Sequence, residues 1–323
     1  MMAVSRSDGV PEVDLDRRTT GSNEFTVSEE DEGERLDKLL VREITGYSRN
    51  YLTNLLKEGN VLLNGRKAKP SARVKEDDLV AFTIPEKILP DILPEDIPLD
   101  ILYEDSDVLV VNKPKGMVVH PAPGHYTGTL VNAVMYHCRG SLSGINGVLR
   151  PGIVHRIDKD TTGSVIICKN DTAHRSIAAQ LKAHSINRRY EAICYGRIEE
   201  EELTINAPIG RDPKDRKKMA VTADGKPAVT HAHVIKRFRD YTYVECVLET
   251  GRTHQIRVHM ASIHHPLLGD TLYCGGRTSP YHLEGQCLHA KVLGFEHPMS
   301  HQYVETVAPP PAYFTHLLDI LPE

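Results

Sequence analysis

The sequence predicts an α+β protein: a large domain on a mixed, mostly antiparallel sheet flanked by helices, preceded by a small domain of helices and a β-hairpin. Three observations predict it. Runs of aliphatic and β-branched residues (Val108 to Val111, Val165 to Ile167, Tyr190 to Cys194, Thr242 to Leu248) read as strands. Helical patterns fall between them irregularly, without the strict strand–helix alternation of a parallel sheet. A separate helix–helix–hairpin pattern precedes them, followed by four prolines (Pro85, Pro90, Pro94, Pro98) that read as a semi-stiff linker.

In chain order, residues 1–32 are polar, acidic and aperiodic, which predicts a disordered tail. Residues 33–85 form the small domain. Leu36, Leu39 and Leu40 share one helical face with Ile44 a turn on, and Ser48 is placed to cap a second helix carrying Leu52, Leu55 and Leu56. Gly59 would end that helix. Val61 to Leu63 reads as a strand, Asn64-Gly65 as a tight hairpin turn, and Leu79 to Ile84 as a last strand. Residues 86–98 are the linker, and 99–323 the large domain, in which Ala173 to His184 reads as a helix.

The bulk numbers narrow the class. The 323 residues suffice for one small and one large domain, and 40% hydrophobic content supports a core filled mainly by aliphatics, since there are 5 Phe and no Trp. No run approaches the roughly 18 apolar residues of a membrane helix, and the N-terminus lacks the layout of a secretory signal. Cys138, Cys168, Cys194, Cys246, Cys274 and Cys287 are scattered without a CxxC, which argues for reduced buried thiols and a cytoplasmic setting rather than a disulfide framework or zinc site. Net charge is −5, yet residues 1–32 carry −6, 33–85 carry +3, 86–99 carry −3 and 100–323 carry +1. The acidity sits in the tail and linker, so it does not exclude a nucleic-acid partner. No apolar stripe stands out for self-association, and a monomer is expected.

The small domain resembles the αL-type RNA-binding domain of a ribosomal small-subunit protein and many RNA-modifying enzymes, through Arg35 to Leu40 (RLDKLL), Ser48-Arg49 and Val61 to Gly65 (VLLNG). On that resemblance Arg35, Arg49, Lys57 and Lys69 are candidate phosphate contacts, against the plainer reading of ordinary solvated charges.

In the large domain, residues 152–163 (GIVHRIDKDTTG) set a cation, an apolar residue and a carboxylate before a turn of hydroxyls and glycine. The segment resembles the HRLDxxTSG signature of the pseudouridine synthase family that acts on large-subunit ribosomal RNA and some tRNAs, with Ile157 for Leu and Thr162 for Ser. Residues 251–259 (GRTHQIRVH) resemble a second motif of that family, and Arg188-Arg189-Tyr190 its basic–any–Tyr motif, with Arg188 where lysine is usual. Asn112 to Gly116, His120-Pro121, Leu268 to Asp270 and Leu288 to Ala290 follow in the family's order.

The resemblance implies that Asp158 is the catalytic carboxylate, either a nucleophile or a base in breaking the glycosidic bond. It implies that Arg257 pairs with it and that Tyr190 stacks on the target uracil. Arg156, His155 and Arg188 are the substrate-binding candidates, Arg156 holding the flipped-out nucleotide and His155 equally well read as a packed histidine. Arg211 to Lys218 packs five cations into eight residues and is a candidate RNA-contacting loop. The partner implied is RNA, large-subunit ribosomal RNA ahead of tRNA, with no cofactor, nucleotide or metal, because an isomerisation returns both fragments of its substrate.

Three rival readings are weighed. His155 to Asp158 differs from the kinase His-Arg-Asp loop by the intervening Ile157, and no glycine-rich loop accompanies it. The 17 histidines show no HExxH-type spacing for a metalloenzyme. A non-catalytic RNA-binding or ribosome-assembly protein on this fold would be expected to lack Asp158 or its partners, which are all here.

Overall fold

The computed structural model describes residues 21–45, 47, 49–84, 92–121, 125–145, 151–215 and 217–323. The chain divides into two compact units, Met1–Leu89 and Pro90–Glu323.

The first unit contains β1 (Gly21–Thr26), α1 (Leu36–Glu43), α2 (Arg49–Glu58), β2 (Val61–Leu63), β3 (Arg66–Lys67) and β4 (Leu79–Ile84). Its strands form an antiparallel sheet in the order β1-β4-β2-β3. Leu36, Leu39, Leu40, Leu52, Leu55 and Leu56 pack against Val61 and Val80 of the sheet, as their helical spacing predicts. Asn64 (φ 50°) and Gly65 (φ 75°) both take positive φ, the condition for the tight turn joining β2 to β3. Ser48, expected to cap α2, lies outside the described residues.

The tail expectation needs correcting within the described residues. β1 pairs with β4 along its whole length, from Gly21↔Ile84 to Thr26↔Leu79, and Val27 is buried. Phe25 and Val27 are the two apolar positions two apart that seat this strand; the acidic composition around them masks that short signal. Residues 1–20 lie outside the described residues.

The second unit contains, in order, β5 (Ile101–Glu104), β6 (Val108–Lys113), α3 (Leu130–Cys138), β7 (Thr162–Cys168), α4 (Asp171–Ala183), β8 (Asn187–Tyr195), β9 (Glu202–Asn206), β10 (Ile209–Arg211), β11 (Met219–Val221), β12 (Val229–Arg237), β13 (Tyr241–Leu248), α5 (Gln255–Ser262), β14 (Leu288–Glu296), β15 (Tyr303–Val307) and α6 (Ala312–Ile320). One large sheet runs β5-β6-β7-β14-β8-β13-β12-β9, with β15 also beside β14. Only β7 and β14 run parallel; every other pair is antiparallel. β10 and β11 form a separate hairpin.

The central strands are covered on both faces. Leu109, Val111, Val165 and Ile167 pack with α3 and α5, whereas Val108, Val110, Ile166 and Cys168 pack with α4. That is why these strands read as unbroken apolar runs rather than alternating ones. The expected linker is shorter than its prolines suggest. Ile92 is buried in the large unit's core, and Asn132 Nδ2 of α3 donates to the Leu93 carbonyl (2.8 Å). Residues 92–98 therefore belong to this unit, because Ile92 supplies core surface that proline spacing does not disclose.

Candidate active site

The site begins where β7 and β14 meet. Their parallel ladder is only His289↔Thr162 and Ala290↔Gly163. Gly163 has φ +109°, and a Cβ there would overlap the Ala290 backbone, so only glycine allows this approach. The loop just before β7 carries Asp158 and is fastened at several points. Thr161 N donates to Asp158 O (3.1 Å), and Gln286 Nε2 donates to Thr161 Oγ1 (3.0 Å). Lys159 O accepts from both Gly116 N (3.0 Å) and Lys113 Nζ (3.0 Å).

Lys113 closes β6 and is fully buried. Its ammonium also donates to the carbonyls of Pro114 (2.8 Å) and Met117 (2.9 Å). Three carbonyls require three N–H groups, which only the ammonium supplies. Burial pushes its pKa down to about 7, with Asp160 and Asp158 pulling the other way.

Facing this loop is α5, entered through His254 in the left-handed conformation (φ 57°). Its first turn aims Arg257 inward between two carboxylates. Nη1 donates to Asp158 Oδ2 (2.9 Å), while Nε and Nη2 donate to Asp270 Oδ2 (2.7 Å) and Oδ1 (2.9 Å). Side-chain exposure is 6% for Arg257, 0% for Asp270 and 18% for Asp158, so a partly open carboxylate is held by a sealed pair. Burial opposes the Arg257 charge, but Asp270 and then Asp158 more than offset it, and its pKa is raised.

His254 and Tyr273 complete the surroundings. Met219 N donates to Tyr273 Oη (2.9 Å), and that hydroxyl lies 2.8 Å from His254 Nδ1. On its other side the imidazole places Nε2 3.7 Å from Asp158 Oδ1. Burial lowers the His254 pKa against the pull of Asp158. Tyr190, from β8, forms the floor of the pocket with Leu248 and Leu288, and Arg156, Arg252 and Gln255 line it too. Burial raises the Tyr190 phenol pKa while Arg188 works against it, so the hydroxyl is protonated at neutral pH.

The structure thus brings Asp158, Arg257, Tyr190 and Arg156 together and sorts the other candidates. Arg156 is exposed, with Nη1 3.4 Å from His120 Nε2. His155 does not line the pocket. Its Nε2 accepts from the Ile166 backbone (3.0 Å), and burial, helped by Arg188, pushes its pKa down to about 4. It is a neutral acceptor for strand β7. Arg188 is 8% exposed and lies two residues before Tyr190 on β8.

In the first unit Arg35 and Arg49 converge on the buried Asp37 of α1 (2.9 and 2.8 Å), whose carboxyl those two bonds hold at about 2. Both arginines keep 42% and 57% side-chain exposure, and Lys57 and Lys69 are exposed. Arg211, Lys214, Lys217 and Lys218 lie on or between β10 and β11; Arg216 is outside the described residues. A groove of about 520 Å³ at the foot of this hairpin is lined by Arg211, Lys226, Gly251 and Arg252, and Arg252 also lines the Asp158 pocket.

Sequence reasoning missed Asp270, His254, Tyr273 and Lys113 as site residues. Asp270 and Lys113 lay in noted motifs, but no local signal ties either to Asp158. Among the described residues one group has metal-ligand spacing, Asp105, Asp107 and His297. Asp105 there already engages Tyr103, His297 and two backbone amides, as a knitted turn does. No helix among the described residues is long and apolar enough to cross a membrane.

Comparison with known proteins bears on this geometry. The RNA pseudouridylate synthase profile matches residues 107–262, and the S4 domain profile matches residues 34–80. An uncharacterized RNA pseudouridine synthase of Bacillus subtilis is 54% identical over 298 residues, covering 92% of this chain and 97% of the relative. The ribosomal large subunit pseudouridine synthase D of Zymomonas mobilis is 48% identical over 297 residues, covering 88% and 92%. Among solved structures, human RNA pseudouridylate synthase domain containing 1 superposes with a TM-score of 0.57 at 26% identity, covering 67% of this chain and 85% of that one.

Proposed function

The chain belongs to the RNA pseudouridine synthase family, and from that premise we propose that it isomerises uridines of large-subunit ribosomal RNA with Asp158 as the reacting carboxylate. The observation that carries the assignment of Asp158 is its bond to a sealed arginine beside a pocket floored by Tyr190. That bond fixes where the carboxylate sits at the pocket, on the side a bound nucleotide would face.

The target uridine is flipped out of its stack, at a cost of a few kcal/mol, and lies on the Tyr190 ring. Arg156, at the pocket rim, takes part of the vacated space. Asp158 acts on the ribose, as a nucleophile at C1′ or as a base at a neighbouring carbon, and the N1–C1′ bond breaks. The uracil turns in place, C5 bonds to C1′, and the proton on C5 is lost as N1 gains one. Every atom is returned, so neither a redox group nor a nucleotide takes part. The protonated Tyr190 hydroxyl is suited to donate to the displaced base.

Ribosomal RNA is favoured because a close relative bears the large-subunit name and because an S4 domain precedes the catalytic unit. Arg35, Arg49, Lys57, Lys69 and the basic hairpin supply phosphate contacts. Six buried free thiols fit a reducing, cytoplasmic setting. The test is incubation of the protein with large-subunit, small-subunit and transfer RNA transcripts, followed by carbodiimide labelling and primer extension. New stops in large-subunit RNA with the wild type, and none with Asp158→Asn, are expected. Stops confined to the other two RNAs refute the substrate, and stops retained in the variant refute the role of Asp158.

A further inference from the structure

Among the described residues, Arg188 is a buried cation without a counter-charge. It is 8% exposed, its Nε is sealed from solvent with no hydrogen-bond partner, and no described residue forms an ion pair with it. Its neighbour Arg189, by contrast, reaches Glu305 and Glu245. A buried guanidinium left unpaired is costly, so its place in a folded chain calls for an anion that arrives later. The guanidinium brings its Nη1 up to Gly251, where a Cβ would come within 2.6 Å of it. Gly251 borders the groove that also holds Arg211, Lys226 and Arg252, and Arg252 continues into the pocket of Asp158 and Tyr190. Among the described lining residues the Asp158 pocket has one carboxylate, Asp158 itself, which Arg257 already holds, and the groove has one, Asp224, against the cations Arg211, Lys226 and Arg252.

Resting on the synthase reading above, we propose that Arg188, with Arg252, is a phosphate-binding subsite that fixes the backbone phosphodiester next to the flipped uridine. Two features fit that ligand. The terminal nitrogens present a planar fork, the geometry that phosphate oxygens match. Arg252 lines both the groove and the pocket, and Gly251, against which Arg188 sits, lines the groove, so a strand running along the groove has its phosphate beside them as its base reaches Tyr190. The bare Gly251 lets the fork lie at the wall; a side chain would push it aside. Gln255 keeps that wall in register, its Oε1 accepting from Arg252 N (2.9 Å) and Thr250 Oγ1 (2.8 Å).

The test compares wild type, Arg188→Met and Gly251→Ala by RNA affinity across salt concentrations, by urea unfolding, and by thermal unfolding in sulfate against chloride at equal ionic strength. Arg188→Met is expected to weaken RNA binding about 10- to 100-fold and to flatten the salt slope by about 0.7–0.9, one phosphate's share. Its stability should stay level or rise, because an unpaired buried charge has gone. Gly251→Ala, which keeps the charge but displaces the fork, should weaken binding in the same direction. Sulfate stabilises proteins generally, so the readout is the extra protection of wild type over Arg188→Met. That readout needs no turnover and stands apart from failure of the synthase assay. An unchanged salt slope in Arg188→Met, equal sulfate protection, or a loss of stability with unchanged RNA binding in Gly251→Ala overturns the proposal.

Discussion

Replacing Arg257 by Met separates its two duties. Methionine fills much of the aliphatic volume but leaves Asp270, with no exposed surface, as a buried carboxylate whose strongest partner is gone. Breaking a buried pair costs about 3–5 kcal/mol. Asp270 Oδ1 keeps the backbone amides of Leu272 (2.9 Å) and Tyr273 (3.2 Å), which puts the expected loss at the lower end, about 3 kcal/mol. Asp158 loses a charge-assisted bond worth about 1.5–3 kcal/mol, so turnover should drop by about 10- to 150-fold at neutral pH. The double variant Arg257→Met/Asp270→Asn removes the stranded charge as well. It should recover most of the stability and none of the rate. Urea unfolding reads the first quantity, and release of tritium from 5-tritiated uridine in RNA under single-turnover conditions reads the second. A single variant with wild-type turnover would show that Arg257 does not support Asp158; a double variant as unstable as the single would show that buried charge is not the source of the loss.

Asp158→Asn can still accept a bond from Arg257, so it should fold and bind RNA within a few-fold of wild type while forming no pseudouridine in the carbodiimide assay. Tyr190→Phe keeps the ring: near-normal turnover means stacking alone matters, worth about 1–3 kcal/mol, whereas a collapse to the level of Tyr190→Ala assigns the hydroxyl a proton-donating role, and full activity of Tyr190→Ala rejects both. Lys113→Met leaves the Pro114 and Met117 carbonyls without their donor, at about 1–3 kcal/mol each, offset in part by the charge no longer buried. Because the wild-type lysine falls from 10.5 to about 7 on folding, the unfolded chain holds the extra proton between those values. Wild-type stability should therefore gain up to about 1.4 kcal/mol per pH unit from pH 7 to 10.5 relative to the variant, and parallel urea midpoints across that range would count against it. Removing residues 1–84 should leave the second unit folded, since its core is its own; a short stem-loop should turn over normally while long ribosomal RNA binds more weakly and with a shallower salt slope, and equal slopes would deny the first unit an RNA-binding role.

What the sequence disclosed follows from where burial is purely apolar. β6 and β7 were legible because both faces press on aliphatic neighbours, and α1 and α2 because one face does. α5 left no periodic trace. Gln255, Arg257 and His259 are as buried as Ile256 and Met260, their polarity being met by Thr230, Asp270 and the Ala207 carbonyl. A helix whose interior contacts are hydrogen bonds shows no apolar stripe. Asp158, Arg257 and Tyr190 were found through motif resemblance, not through pattern. His155 follows its packed reading because successive residues of an extended segment point opposite ways: Arg156 faces the pocket and His155 bonds the backbone of β7. Asp270 was beyond reach, since no rule of spacing predicts which carboxylate thirteen residues on will meet an arginine.

The position of β14 has a consequence for how the protein comes into being on a ribosome. It is the second-last strand to be synthesised, yet it lies in the middle of the sheet, between β7 and β8. Until it emerges, the nascent chain can assemble only two separate sheets, β5-β6-β7 and β8-β13-β12-β9, each with a bare inner edge. Such edges are sticky and late-closing pairings are slow, so this interval is where the chain most needs protection. It also means that Leu288, which begins β14 and lines the pocket, arrives after almost everything else. The pocket is therefore among the last parts built, and a growing chain still held on the ribosome short of Leu288 has no finished site.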